Sequence, residues 1–287
     1  MSAVLDRVCG IGDEAAFGLE DQLRIHSELG MAGLEVRTVA GKQVDHWSKQ
    51  EAEQIASAVS AAGLTVPVVD TPIGSWTGTI ADDFAADRTV LTRTASHAAL
   101  LGCRGLRIMS YPNDGREPGR WRAEAIRRLR ELTAYAADLG VTLLHENCQG
   151  WAGQSAAHTR ELLDEVEGIR LIFDVGNGLA YGYEATSFLR QVLPFVDHVH
   201  VKDGVRHTDG TVTFDRPGRG EVDVKACVRL LVQAGYPGWY SLEPHVAHIP
   251  HLGTSDEPEV LERGFRTCAE GLLQLLDAEY RSEPAHG

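Results

Sequence analysis

Short apolar runs rich in β-branched residues alternate with amphipathic stretches along the whole chain. Eight of the runs read as strands: 7–11 (RVCGI), 32–37 (AGLEVR), 65–70 (TVPVVD), 104–109 (RGLRIM), 141–147 (VTLLHEN), 169–174 (IRLIFD), 196–202 (VDHVHVK) and 238–243 (GWYSLE). Apolar positions at helical spacing predict helices over 20–30, 48–63, 87–102, 120–140, 222–235 and 259–280. The first five of these end in a glycine just past the last apolar turn, a common way to close a helix before the next strand. Strands that each lead into a helix imply a parallel sheet with right-handed crossovers, and eight such units in 287 residues match a (β/α)8 TIM barrel. A doubly wound open sheet would want a glycine-rich phosphate turn after the first strand, and GIGDEAA (10–16) is a poor match for one. No linker or low-complexity stretch divides the chain, so residues 1–287 are expected to form one domain, with 281–287 as a frayed tail.

In such a barrel the chemistry sits at the C-terminal ends of the strands. Unusual polar residues collect there on four successive strands. The fifth ends in Glu146 and Asn147, the sixth in Asp174, the seventh carries His200 and Lys202, and the eighth ends in Glu243. Strand parity sends Glu146, Asp174, His200 and Glu243 to a common destination if those faces point inward. Three carboxylates so close together repel unless they are protonated or bridged by a cation. A divalent ion held by oxygens and one imidazole resolves the conflict, with Mn2+ first and Mg2+ or Co2+ also suited. His198, one layer deeper than His200, reads as a supporting histidine rather than a ligand. Glu35 and Arg37 share a face at the end of the second strand, Arg107 lies near the end of the fourth, and His245 has the parity of Glu243. Glu35, Arg107 and His245 are therefore candidates to meet a substrate. Trp151, in the loop after the fifth strand, is one too; it either stacks on a sugar face or packs that loop onto the barrel. His248 and His251 read as surface residues of a long loop, which could serve as a lid.

Composition narrows the partners. A net charge of −14 leaves no basic footprint for nucleic acid. The longest apolar runs are too short for a bilayer, and residues 1–30 hold no apolar signal core. Five scattered cysteines without a CxxC pair suit a reducing cytosol, so a cytoplasmic protein is expected. The oligomeric state stays open, a homo-oligomer included.

With those residues in hand, the chain resembles the xylose isomerase-like TIM-barrel superfamily. Its members include ketose 3-epimerases, hydroxypyruvate isomerase, inosose dehydratase and the type IV apurinic-site endonuclease. The resemblance runs over nearly the whole chain and rests on HENCQGWAGQS (145–155), FDVGN (173–177), HVHVKD (198–203) and the stretch from PGRGEVD to SLEPH (217–245), with LEVRTVAGK (34–42) and DTPIG (70–74) beside them. It implies one divalent ion on Glu146, Asp174, His200 and Glu243, Zn2+ joining the compatible metals. It also implies an acid–base pair of Glu146 and Glu243, and Lys202 and Arg206 beside the substrate oxygens. Two departures weigh against a simple free-ketose epimerase. Asn177 stands where those enzymes keep a histidine, and is carried as a substrate contact; Ala152 stands where they keep a glutamate. Asn177 and the acidic charge together weigh against the endonucleases.

The residue set suits removal of a proton next to a carbonyl. A divalent ion chelated by the carbonyl and a neighbouring hydroxyl would stabilise the enediolate, and one glutamate would take the proton while the other returns it. Return at the neighbouring carbon gives isomerisation, and return on the opposite face gives epimerisation. Loss of a β-hydroxyl or aglycone instead gives a lyase acting on a keto-inositol or 3-keto-glycoside. The expected substrate is a small sugar, keto-sugar or polyol.

Overall fold

The computed structural model describes residues 3–249, 253–254 and 257–282. Its centre is one parallel sheet of seven strands: β1 (Val8–Gly10), β2 (Val68–Asp70), β3 (Gly105–Ser110), β4 (Thr142–Gly150), β5 (Arg170–Asp174), β6 (Val196–Val201) and β7 (Trp239–Leu242). They pair in the order β1-β7-β6-β5-β4-β3-β2, so the two ends of the sheet belong to β1 and β2. The predicted second strand, 32–37, fills the gap between them without forming a regular ladder. It makes single parallel bridges, Ile11 with Glu35 on one side and Gly33 with Thr65 and Val36 with Val69 on the other. Its hydrogen bonds run to both neighbours, from Glu35 N to Gly10 O (2.9 Å) and from Val36 N to Val68 O (3.2 Å). The ring is closed by this segment. Gly33 permits the close approach: a Cβ there would stand 2.7 Å from the Trp239 ring and 2.8 Å from Thr65 O.

Among the described residues, eight longer helices surround the sheet: α1 (Leu19–Glu28), α2 (Lys49–Ala61), α3 (Phe84–Leu100), α4 (Pro118–Asp138), α5 (Ala156–Glu165), α6 (Ala185–Val192), α7 (Val224–Gln233) and α8 (Pro258–Ser282). The glycine stops behave as their sequence suggests. At the end of α4, Gly140 takes φ 74° and Val141 N donates back to Ala136 O at 3.0 Å, and the same left-handed closure ends α1, α2, α3 and α7. Helices α5 and α6 were not among those predicted, being short elements of eight to ten residues. The expected frayed tail is helical as far as Ser282; residues 283–287 lie outside the described part.

Strand parity sorts the side chains into two environments. Val199 and Val201 face outward into the large core beneath the helices. Val68, Leu144 and Ile172 form a separate apolar cluster inside the barrel. Each of these three lies two residues before a carboxylate, Asp70, Glu146 and Asp174, so the floor of the site is an apolar plug with acids directly above it.

On the outward face of β4, His145 pairs across to Ile108 and Leu171, fully buried, with neither ring nitrogen hydrogen-bonded. Burial pushes its pKa down to about 4. Because the folded value lies below the unfolded one, the stabilisation is intact above about pH 6.5 and is lost as the pH falls towards 4. The linkage is worth about 3 kcal/mol in all, about 2 of it between pH 7 and pH 5. His145→Leu is expected to remove that part of the acid sensitivity in urea unfolding at the two pH values. Equal losses in the wild type and the variant would refute the assignment.

Candidate active site

The four residues that parity brought together meet at the C-terminal mouth. Glu146, Asp174, His200 and Glu243 are buried, and each offers one ligand atom within 4.8 Å of the others. Glu243 lies one residue past the ladder of β7, held by its N–H on Val201 O at 3.0 Å. Asp174 pairs in register with His200 across β5 and β6. Its Oδ1 accepts from the N–H groups of Gly176 (2.7 Å) and Asn177 (3.0 Å) at the following turn. Asn147 ties the ends of β4 and β5 together: its Oδ1 accepts from Asp174 N (2.6 Å) and its Nδ2 donates to Asp174 O (3.0 Å).

Each glutamate divides its two oxygens between the cluster and an arginine. Glu146 turns Oε1 towards His200 Nδ1 (3.8 Å) and takes a bond from Asn177 there (3.2 Å), while Oε2 accepts from Arg107 (3.2 Å). Glu243 turns Oε2 towards His200 Nδ1 (3.5 Å) and Lys202 Nζ (2.7 Å), while Oε1 accepts from Arg37 (3.3 Å). The arrangement is nearly symmetric, with one guanidinium behind each carboxylate.

His200 is held from below. Its Nε2 lies 2.9 Å from Glu35 Oε1, and the other oxygen of Glu35 lies 2.8 Å from His198 Nε2. A proton on Nε2 shared with Glu35 leaves Nδ1 as a lone pair aimed between the two glutamates, and Nδ1 has no hydrogen-bond partner. Glu35 is fully buried and so supports His200 from behind instead of facing the cleft.

The electrostatics call for a cation. Seven buried carboxylates (Asp13, Glu14, Glu35, Asp70, Glu146, Asp174 and Glu243) face three permanent cations, Arg37, Arg107 and Lys202. Lys202 bridges Asp174 (2.6 Å) and Glu243 (2.7 Å). Burial opposes its charge, yet those two carboxylates hold the ammonium well above its ordinary range. Asp174 is pushed up to about 7 by burial and by the repulsion of Glu243 and Glu146, against the pull of Lys202. Glu146 goes the other way: burial alone would raise it, but Arg107 and His200 hold it at about 2. His200, which burial alone would keep neutral, is raised by Glu35 and the two glutamates, so Nδ1 offers its lone pair when a cation takes the place of the proton. A carboxylate-rich cage with one lone-pair nitrogen fits a divalent ion of the oxygen-preferring kind.

The remaining sequence candidates are placed as follows. Asn177 lies in the cluster. His245, in a left-handed conformation (φ 54°), bonds Glu14 through Nδ1 (2.9 Å) and brings Nε2 to 3.8 Å from Glu243. Arg107 lies on the cleft side of Glu146. Lys202 is buried beneath the mouth, tied to Asp174 and Glu243. Arg206 is exposed on the hairpin of Asp203–Arg206 and Val212–Asp215, away from the cluster. Trp151 is buried and stacks on His158 (4.9 Å), so it packs its loop onto the barrel. His248, expected at the surface, lines the cleft, and His251 lies outside the described residues.

Four acids escaped the sequence reading. Asp13 and Glu14, in the turn after β1, bind Arg37, and Asp70 at the end of β2 lies 3.3 Å from Arg107. Asp70 carried a usable signal, since TVPVVD ends as IRLIFD does. Asp203 is another: its carboxylate accepts from the N–H groups of Gly204, Gly218, Gly220 and Val222, pinning the PGRG turn to the end of β6.

A cleft of about 780 Å3 opens beside the cluster, over the first half of the barrel, with Arg37, Asp70 and Arg107 at its floor.

A family model described as "Xylose isomerase-like TIM barrel" matches residues 23–268. Over 130 residues the chain is 31% identical to an inosose dehydratase of Klebsiella pneumoniae, a stretch that covers 39% of this chain and 44% of that one. The chain thus matches less than half the length of that relative. Among solved structures, an IolI protein with a bound zinc atom superposes with a TM-score of 0.76 at 16% identity, covering 96% of this chain and all of that one. The 3-keto-D-glucoside 4-epimerase YcjR of E. coli superposes with a TM-score of 0.69 at 19% identity, covering 93% of this chain and 98% of that one.

Proposed function

The chain belongs to the xylose isomerase-like TIM-barrel family, and from that premise we propose that it is a divalent-metal-dependent isomerase or epimerase of a small sugar, keto-sugar or polyol. The observation that carries the reading is the convergence of Glu146, Asp174, His200 and Glu243 on one point, with the second oxygen of each glutamate held by an arginine that lines the cleft. These four residues would hold the ion. Bound there, it would act as a Lewis acid on a substrate carbonyl, and Mn2+ suits the donor set best.

The chain's own groups do the rest. Glu146 and Glu243 stand on either side of His200 Nδ1 and are kept ionised, Glu146 by Arg107 and His200 and Glu243 by Lys202, His245 and His200, as a base at neutral pH requires. One, as the carboxylate, removes a proton next to the carbonyl; the other first takes up a proton from water in the cleft and then delivers it to the adjacent carbon or to the opposite face. Arg37 and Arg107 stabilise whichever glutamate is charged and, at the cleft floor, offer donors to substrate oxygens. The apolar plug of Val68, Leu144 and Ile172 keeps water from entering below.

A second reading uses the same residues for elimination from a keto-inositol or a 3-keto-glycoside. It is favoured by the likeness to inosose dehydratase and by Asn177, which replaces the histidine of the ketose epimerases. Proton NMR in D2O with Mn2+ separates the two readings on a panel of ketoses, keto-inositol and 3-keto-glucosides. Deuterium at a substrate carbon without loss of water or aglycone is expected. Elimination products favour the second reading. The absence of exchange with every member of the panel would sink both.

A further inference from the structure

We propose that the cleft over the first half of the barrel binds an aromatic group attached to the sugar, the aglycone of a glycoside, stacked against Phe17. The inference rests on the reading of the cluster as the place where the sugar reacts.

The cleft's volume, about 780 Å3, lies towards the upper end of the range for pockets that enclose drug-sized ligands, about 300–1,000 Å3. A single sugar ring would leave much of it to water. Its two ends also differ in chemistry. The floor is polar, with Arg37 and Arg107 reaching Glu243 and Glu146, and with Asp70, whose two buried oxygens take no hydrogen bond. The outer wall is apolar, with Phe17, Pro72 and Leu261 beside Trp76.

Phe17 is the most informative of these. It is 66% exposed, and among the described residues Leu100 is the only other large hydrophobic side chain left in solvent. Its backbone is nevertheless fixed: Phe17 O accepts from Ala40 N at 2.9 Å, and Gln22 Nε2 ties the preceding Ala16 O (2.9 Å) to Thr38 O (3.1 Å) in the facing segment. An exposed aromatic ring on an anchored segment, lining a cleft that also holds the two arginines bound to the glutamates, is preorganised to cover a flat apolar group. A polyol offers that wall less apolar area to bury than an aryl group does.

The test is calorimetric titration of the whole protein, loaded with Mn2+, with phenyl and methyl β-D-glucosides and their 3-keto forms. The phenyl member of at least one pair is expected to bind about ten-fold more tightly than its methyl partner. Phe17→Ala should abolish that preference and leave methyl-glycoside affinity unchanged, and Phe17→Trp should retain it. Phe17 is solvent-exposed, so neither substitution disturbs the core. Equal binding of phenyl and methyl members, no binding of any, or a preference that survives Phe17→Ala would overturn the proposal. The two ideas fail separately. Deuterium exchange in free keto-sugars without a phenyl preference removes the subsite alone. A Phe17-dependent phenyl preference without exchange or elimination in any sugar removes the reaction assignment alone.

Discussion

Glu146→Gln and Glu243→Gln are each expected to lower turnover by about a hundred- to ten-thousand-fold, the range that a positioned acid or base contributes. Glutamine keeps an oxygen that can face His200 and cannot carry the proton, so the substitution separates chemistry from occupancy of the cage. Neither change should unfold the protein. Without the Glu243 charge, Lys202 keeps Asp174 and Arg37 keeps Asp13 and Glu14; without that of Glu146, Arg107 keeps Asp70. Each variant also removes one negative charge from a cluster in which acids outnumber permanent cations. The pair should be told apart by the isotope pattern. In an epimerase, each variant loses deuterium exchange from the substrate epimer whose proton faces the missing base and retains part of it from the other. In an isomerase or a lyase, the variant lacking the base loses exchange from every substrate. Full turnover in both variants, measured at saturating Mn2+, would refute the acid–base assignment.

The cluster could be read from the sequence because strand parity is a two-residue rule that needs no tertiary information. Once 141–147, 169–174, 196–202 and 238–243 are strands, the inward set follows from counting. What parity cannot convey is reach. Lys202 shares the inward face, and its long side chain folds down onto Asp174 and Glu243. Glu35 also faces inward, yet the segment that carries it runs deep enough for its carboxylate to meet two imidazoles under the site. The acids of the first half of the barrel were harder to see. Asp13 and Glu14 sit in a single helical turn after a three-residue strand, where neither periodicity is long enough to assign a face. The side of Trp151 was decided by His158, seven residues further along the chain, a stacking partner that only the folded loop supplies.

The strongest claim about how the cage is tuned concerns Glu35. Glu35→Gln is expected to weaken Mn2+ binding about ten- to hundred-fold, the usual effect of removing the partner behind a ligating histidine. One carboxylate oxygen accepts from each of His200 and His198, whereas an amide has one acceptor and one donor. If its NH2 faces His200, the proton moves to Nδ1 and blocks the lone pair that points between Glu146 and Glu243. If its oxygen faces His200, His198 must change tautomer in a fully buried setting, and the charge behind His200 is still lost. The sign of the stability change separates this positioning role from simple damage. Glu35→Gln removes one of seven crowded acids, so the metal-free variant should be about as stable as the wild type. Stabilisation by Mn2+ should shrink by about 1.4–2.7 kcal/mol, the free-energy equivalent of that loss in affinity. Competition with a chromophoric chelator reads the first quantity, and urea unfolding with and without Mn2+ reads the second. An unchanged Mn2+ affinity would show that His200 does not depend on Glu35 for its orientation.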